Sequence, residues 1–306
     1  MRLCALLGNP VAHSVSPALH GALAASVNIE LAYIKRSVPS AALLPEFLQA
    51  LATLGAVGAN ITLPYKVAVL EHLDALAPSA AGIGAVNTVV FDAAGRTTGH
   101  NTDGVGALTA MDKQLRPVEH GDQVVILGAG GAARAVTYEA CQRGADVVVL
   151  TAYAGEIEHF LTAMTPRCGA QLHVAVLNNE HLLSRLLEAD FLVNATPLGM
   201  TPNLDISAVP TGLIERLAAE RDMGSLYILD AVYNPLETRL LREFAGAGAK
   251  VCSGIWMLIF QAIASFELWT GMMVGDEQPR GLYEMLLARL DASGGVRSWV
   301  YQRTKS

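Results

Sequence analysis

Charged residues are scarce in this chain: Asp, Glu, Lys and Arg make up 16% of its 306 residues, against 52% apolar ones. Burying a sizeable core is therefore no obstacle, and the length leaves room for two domains of roughly 100–200 residues each. Long apolar runs are missing as well. No segment approaches the ~18 apolar residues of a membrane span; Trp256 to Phe260 is short, and Gln261 follows at once. The start has no signal-peptide pattern, because Arg2 is its only early cation and Asn9, Pro10, His13 and Ser14 interrupt any apolar region. Cysteine is sparse: Cys4, Cys141, Cys168 and Cys252 lie far apart with no C-x-x-C pair. That fits buried thiols in a reducing cytoplasm rather than a disulfide frame or zinc site. The eight histidines contain no H-E-x-x-H or similar cluster, so no metal site is expected. Positive charge is outweighed, the formal net charge being −7, which argues against nucleic acid or an acidic membrane as partner. A small anionic substrate needs only local donors.

What the chain does have is alternation. Short runs of Val, Ile and Leu alternate with Ala/Leu-rich helical stretches, the signature of βαβ units and a parallel sheet. Strands are expected at Leu3 to Leu7, Leu31 to Lys35 and Ala56 to Ile61. A helix is expected from Ser16-Pro17, with Ser16 as cap and Pro17 at the first helical position. Leu43 to Leu54 repeats apolar residues on one helical face, and Pro64 is read as opening a further helix. The pattern shifts after Asp103. A helix over Gly104 to Leu115 and a polar link lead to a strand over Gln123 to Leu127, a turn, and a helix over Ala132 to Arg143. Strands follow at Asp146 to Leu150, Phe191 to Asn194 and Leu226 to Leu229, and the tail after Ser293 reads as an extension.

The turn is the most specific local feature. Val124-Val125-Ile126-Leu127 runs into Gly128-Ala129-Gly130-Gly131-Ala132-Ala133, a G-x-G-x-x-A pattern between strand and helix. Gly128 allows the tight turn, Gly130 lets backbone approach a pyrophosphate, and Ala133 permits close helix–strand packing. The helix N-terminus offers free N–H groups and the positive dipole end to the anion. The same rule places an acid for NAD, or an arginine for NADP, about 20 residues on. Here that strand ends Leu150-Thr151-Ala152-Tyr153 and has neither, so these residues leave the cofactor open. Arg134, after the turn, reads as solvent-facing.

Polar residues gather at four other places: His13 to Pro17, Asn60 to Lys66, Gly84 to Thr88, and Gly99 to Gly104. Ligands of open α/β sheets sit at the carboxyl ends of strands, and a crevice between two domains is a favoured pocket. Singly, each residue has an ordinary reading: Lys66 a surface lysine, Asp103 a helix cap, His13 and His100 structural histidines. Together these stretches resemble the shikimate dehydrogenase family in its own motif order. The motifs are H-S-x-S-P (13–17), N-x-T-x-P-x-K (60–66), G-A-x-N-T (84–88), N-T-D-G (101–104), G-A-G-G-A (128–132), N-A-T-P-L-G-M (194–200), D-A-V-Y-N-P-L-E-T (230–238) and M-L-I-F-Q-A (257–262). The match spans about residues 3–290.

The resemblance implies an α/β chain of two domains. One is an open α/β catalytic domain (1–103 plus 252–306), to which a C-terminal helix returns, and the other a Rossmann dinucleotide-binding domain (104–251). It implies a cytoplasmic enzyme, monomer or homodimer, moving a hydride reversibly between NADP(H), with NAD possible, and C3 of shikimate or 3-dehydroshikimate. Lys66 and Asp103 match the family's catalytic pair. Ser14 and Ser16 match hydroxyls on the substrate carboxylate, and Asn60, Thr62, Asn87, Tyr233 and Gln261 match further substrate positions. Gly128, Ala129, Gly130, Gly131, Ala132, Thr151, Asn194, Thr196, Met200 and Gly254 fall on the cofactor side. The chemistry suits these types: the cofactor handles the hydride, and the protein must orient the alcohol and carry its proton. No Ser/His/Asp or Cys/His set fits a nucleophilic mechanism.

Two positions depart from the family pattern. NADP users commonly carry Asn-Arg-Thr after the second strand of the cofactor domain, where this chain has Thr151-Ala152-Tyr153; NAD-preferring relatives have an Asp there. Trp256 stands where the family often has Gly, a change expected to narrow the crevice near the substrate. Quinate or aminoshikimate are therefore alternative substrates, although the intact Ser14/Ser16 pair favours shikimate. A weakly catalytic dinucleotide sensor is the remaining alternative, against which the presence of both Lys66 and Asp103 speaks.

Overall fold

The computed structural model describes residues 1–292; the tail after Ser293 lies outside the described residues. The first part of the chain contains β1 (Arg2–Gly8), α1 (Ser16–Ser26), β2 (Leu31–Ser37), α2 (Leu44–Thr53), β3 (Gly58–Ile61), β4 (Ala75–Leu76), α3 (Pro78–Ile83), β5 (Thr88–Phe91) and β6 (Thr97–His100). These strands form one sheet in the order β2-β1-β3-β5-β6-β4. β1 pairs parallel with β2 and β3, whereas β5 runs antiparallel to both β3 and β6. β1 to β3 lie where the sequence pattern predicts strands; β4 to β6 are additional to that expectation. Thr97-Thr98-Gly99-His100 has no apolar run, and its pairing with β5 on one side and β4 on the other makes it a strand.

α4 (Asp103–Gln114) leads into β7 (Gln123–Leu127), α5 (Gly131–Gln142), β8 (Asp146–Thr151), α6 (Gly155–Cys168), β9 (Leu172–Val176), α7 (Asn179–Glu188) and β10 (Phe191–Asn194). Then come α8 (Thr211–Glu220), β11 (Tyr227–Asp230), α9 (Arg239–Gly246), β12 (Lys250–Ser253), α10 (Gly254–Thr270) and α11 (Gln278–Ala292). The second sheet is parallel throughout, in the order β9-β8-β7-β10-β11-β12. This is the doubly wound order, which reverses between β7 and β10 and opens a crevice at their carboxyl ends. Both faces are covered. Val124, Ile126, Val147, Val149 and Val193 enter one core, while Val125, Leu127, Val148, Leu150 and Leu192 enter another. Such runs of Val, Ile and Leu buried on two sides are what a parallel sheet demands.

Helices α4 and α10 join the two halves. α10 sends Met257 into the core shared by α4, α5 and the second sheet, and Ile255, Ile259, Ala262 and Phe266 into a cluster with α1 and α11. α10 is the C-terminal helix whose return to the first half the resemblance implies. α4 comes so close to α10 that a Cβ on Gly106 would lie 2.7 Å from the Gln261 backbone nitrogen.

Two helix starts differ from expectation. Val15, not Ser16, is the cap of α1, and Ser16 is its first helical residue with no side-chain cap bond. Pro64 opens no α-helix: the chain makes an irregular turn, and only Ala68–His72 winds into a 3-10 turn. Long-range bonds hold that turn in place of helical ones. Tyr65 donates its hydroxyl to the Val38 carbonyl at 2.6 Å, and Val86 N–H donates to the Lys66 carbonyl at 2.7 Å.

Candidate active site

The ends of β1 and β3 and the start of β5 lie together at one edge of the first sheet, because β5 is antiparallel and pairs Thr88 with Asn60. Asn87 thus stands at the amino end of a strand rather than the carboxyl end, yet at the same edge. The Lys66 turn hangs from that edge, and Asp103 begins α4 beside it. Lys66 Nζ lies 2.5 Å from Asp103 Oδ2, with side chains 20% and 7% exposed. Asn87 donates to the other carboxylate oxygen at 2.8 Å and to Thr102 Oγ1 at 2.9 Å. The Asp103 backbone N–H is taken by Asn101 Oδ1 at 3.0 Å. The Asp103 side chain caps nothing; it is an oriented carboxylate, held by a cation and an amide, whose charge-assisted bonds are stronger than neutral ones.

Beneath the pair runs a buried polar network. Asn60 Nδ2 reaches Thr88 Oγ1 and Ser265 Oγ at 3.2 Å each, and Ser265 also meets Thr88 at 2.8 Å and Thr102 at 3.0 Å. Ser265 donates to the Gln261 carbonyl at 2.9 Å, tying α10 to the network. Tyr33 donates to Asn60 Oδ1 at 2.7 Å. Burial raises the Tyr33 phenol well above its usual pKa, the nearby Ser16 hydroxyl acting in the opposite sense. On the other side of Tyr33, His20 stacks at 4.5 Å between ring centroids. His20 is fully buried with neither ring nitrogen bonded, and burial pushes it down to about 3.

Ser14 and Ser16 face one another: Ser14 Oγ donates to Ser16 Oγ at 3.0 Å, and the Ser16 N–H donates to Ser14 Oγ at 3.2 Å. Lys35 fixes their loop by donating to the Ala12 and Ser14 carbonyls. Val15, between them, packs in the cluster that holds Tyr233 and Trp256. Burial raises the Tyr233 phenol. Thr62 lays its methyl over Gly8, and Gln261 Nε2 donates to the Leu258 carbonyl at 2.9 Å. Among the described residues no side-chain hydrogen bond joins Thr62, Tyr233 or Met200 to the network. Trp256 stacks on Tyr283 of α11 at 4.5 Å and 3°, so its indole is held against the C-terminal helix.

Across the crevice, Gly128 has φ +100°, and a Cβ there would lie 3.1 Å from the Thr196 methyl, which is why glycine is needed. Gly130 caps α5, and a Cβ on it would meet nothing within 4 Å. Ala129 and Ala132 pack on the core beneath. This open cradle at the start of a helix fits a pyrophosphate. A Cβ on Gly131 would lie 3.7 Å from Lys66 Cδ, so the lysine stem faces the turn directly. The β10 loop is braced from below. Thr196 donates to Asn194 Oδ1 at 2.6 Å, and Asn194 Nδ2 donates to Asp230 Oδ1 at 2.8 Å. Asp230 also accepts from the Val232 N–H and the Thr238 hydroxyl, and burial pushes it up to about 6. A Cβ on Gly254 would press 2.5 Å from the Ala231 carbonyl oxygen, and Met200 is 40% exposed on the same loop. Arg134 does not face solvent: it is 7% exposed, its guanidinium over the Phe160 ring.

Tyr33, Ser265 and Asp230 support the site without being marked by any motif role in the sequence. The first two sit in apolar stretches of a strand and a helix, where a single polar residue carries no pattern. Asp230 did open a quoted motif, and its brace on Asn194 is visible only in three dimensions.

A lysine–carboxylate couple facing a dinucleotide-type glycine turn across a two-sheet crevice defines the class: an α/β oxidoreductase acting on a CH–OH group. The chain belongs to the shikimate dehydrogenase family. Residues 6–89 match the shikimate dehydrogenase substrate binding domain, and residues 254–277 the shikimate 5'-dehydrogenase C-terminal domain. It is 40% identical over 271 residues to the shikimate dehydrogenase (NADP(+)) of Methanopyrus kandleri, covering 87% of this chain and 89% of that one. Shikimate 5-dehydrogenase from Thermus thermophilus in complex with NADP(H) and shikimate is 35% identical, with TM-score 0.79 and coverage of 93% and 98%. Quinate dehydrogenase from Corynebacterium glutamicum in complex with NAD is 31% identical, with TM-score 0.81 and coverage of 93% and 99%.

Proposed function

We propose that this chain interconverts shikimate and 3-dehydroshikimate reversibly, in the cytoplasm, with a nicotinamide dinucleotide as hydride carrier. The observation that carries the reading is the Lys66–Asp103 contact of 2.5 Å facing the glycine turn. The relatives named above work with NADP or are seen with NADP or NAD; when bound, such a cofactor supplies or takes the hydride. This chain's residues do the rest. Lys66 Nζ gives its proton to the C3 oxygen in reduction and takes it back in oxidation. Asp103 holds Lys66 and accepts a hydrogen bond from a ring hydroxyl. Asn87 fixes Asp103, and Asn60 and Thr62 meet ring hydroxyls from the β3 end. Ser14 and Ser16 donate to the carboxylate, which needs no cation, and Tyr233 and Gln261 close the opposite side. Asn194, Thr196, Met200 and Gly254 line the nicotinamide side, and Gly128 to Ala132 hold the pyrophosphate. We assign residues up to 103 and from about 252 to the substrate part, and those between to the dinucleotide part. Two separate sheets support that division, with Cys252 and Ser253 still paired into the second.

A steady-state survey of shikimate, quinate and aminoshikimate, each with NAD and NADP, tests the reading. Shikimate is expected to give the highest kcat/KM. A higher value for quinate or aminoshikimate would move the chain to a paralogous activity, and dinucleotide binding without any turnover would make it a sensor.

A further inference from the structure

The loops that follow β8 and β9, with the first helical turns they lead into, carry carboxylates and neither lysine nor arginine. Thr151, the last residue of β8, is 1% exposed, and its hydroxyl donates to Glu156 Oε2 in the first turn of α6. That bond leaves Glu156 Oε1 of an exposed side chain unbonded among the described residues. The Tyr153 N–H donates to Thr151 Oγ1 at 3.3 Å, so the loop turns back on the hydroxyl that holds this carboxylate, while Tyr153 is 70% exposed. No Lys or Arg occurs between Arg143 and Arg167, nor between Arg167 and Arg185, a span covering both β8 and β9 and the loops that follow them. The charges those loops offer are Glu156, Glu158 and Glu180. Arg134 is the cation whose field reaches Glu156. It is turned inward, its guanidinium 5.9 Å from the Phe160 ring centre and 3.7 Å from where a Gly84 Cβ would be.

In doubly wound dinucleotide sites an acid beyond the second strand accepts from the ribose 2′-hydroxyl, and an arginine there accommodates a 2′-phosphate. We propose that Glu156, anchored by Thr151, is that acid, supplied from the first turn of α6 instead of from the strand end, and that this chain takes NAD in preference to NADP. The free oxygen of Glu156 accepts the 2′-hydroxyl. A 2′-phosphate, with close to two negative charges, meets a carboxylate and no free cation.

This inference rests on the dinucleotide-linked reading above, and calorimetric binding separates the two. Full-length protein is titrated with NAD and NADP, and with adenosine 5′-phosphate and adenosine 2′,5′-bisphosphate as fragments. NAD and the monophosphate are expected to bind at least ~10-fold more tightly than their 2′-phosphorylated partners, a gap of about 1.4 kcal/mol. Higher salt should narrow it, because the carboxylate is exposed. Glu156→Gln should shrink the ratio, and Tyr153→Arg, at an exposed position, should raise NADP affinity. Each ratio is read within one preparation, so a general loss of folded protein cancels. Tighter binding of NADP by the unaltered chain, or a ratio unmoved by Glu156→Gln, overturns the inference while leaving hydride transfer intact. Binding of neither dinucleotide overturns both.

Discussion

Lys66 would be one surface lysine among others were its stem not facing the glycine turn, 3.7 Å from where a Gly131 Cβ would lie, and its ammonium on Asp103. Replacing Lys66 with Ala should lower kcat by ~10²–10⁴-fold, the usual worth of a positioned proton carrier, while shikimate affinity measured by calorimetry changes little. Turnover near that of the unaltered enzyme would remove Lys66 from the chemistry. His20 makes a different prediction. Its folded pKa is about 3 against an ordinary 6.5, so its contribution is complete above about 6.5 and is lost as pH falls toward 3, on the order of 5 kcal/mol over the full window. Asp230 runs the other way: its pKa is raised, so its contribution is present at low pH and is lost as pH rises through about 6. Replacing His20 with Phe keeps the stack on Tyr33 and removes both unbonded nitrogens. The variant should gain stability relative to the parent at pH 4–5 in urea unfolding; an unchanged acid limb would show that His20 finds a proton partner. Taken singly, Lys66 reads as a surface lysine and Asp103 as a helix cap; the resemblance of their motifs to the shikimate dehydrogenase family is what singles them out as a pair. Nothing in the sequence singles out His20 and Tyr33, because their meaning is a stacked pair formed by α1 and β2.

At the scale of the element, the strand–turn–helix around Gly128 could be read in advance because period, glycine spacing and helix start all point the same way. β7 and β10 appear at the residues expected, Gln123–Leu127 and Phe191–Asn194. β4, β5, β6, β9 and β12 were not expected; β4 (Ala75–Leu76) and β6 (Thr97–His100) have no apolar run of their own and are strands through their neighbours on the sheet. Glycines of the same chain divide along this line. At Gly130 a methyl would enter open space, whereas at Gly106 it would strike the α10 backbone at 2.7 Å. Gly130→Ala should therefore leave the thermal midpoint nearly unchanged but weaken dinucleotide binding at least ~10-fold, because the new methyl occupies the approach of the pyrophosphate. Gly106→Ala should cost ~1–3 kcal/mol of stability as α4 and α10 are forced apart. Equal dinucleotide affinity for Gly130→Ala and its parent would show that the anion does not sit over that turn.

For the whole molecule the question is whether the two sheets behave as one body. Each has a core of its own, Leu7, Ile61 and Val89 among the residues on one side and Val125, Leu150 and Leu192 on the other, which taken alone would permit separate unfolding. Against that stand α4 and α10. Ala107, Leu108 and Met111 of α4 are buried in the second sheet's core, while Asp103 at its start is bonded to Lys66 and Asn87 of the first half. α10 is buried on two faces, one toward each half. Opening the sheets from one another would uncover both helices and strip Asp103 of its partners, and a buried carboxylate left unpaired is among the costlier defects a fold can carry. The coupling should therefore win. Scanning calorimetry is expected to show one transition, and shikimate alone, although the site proposed for it is built from the first sheet's loops, should move all of it upward as RT ln(1 + [L]/Kd) requires of a ligand bound only to the folded whole. Two resolved transitions, of which shikimate moves only one, would mean that α4 and α10 act as a hinge between independent bodies, and that the approach of Lys66 to the glycine turn is set by that hinge rather than by the packing of the fold.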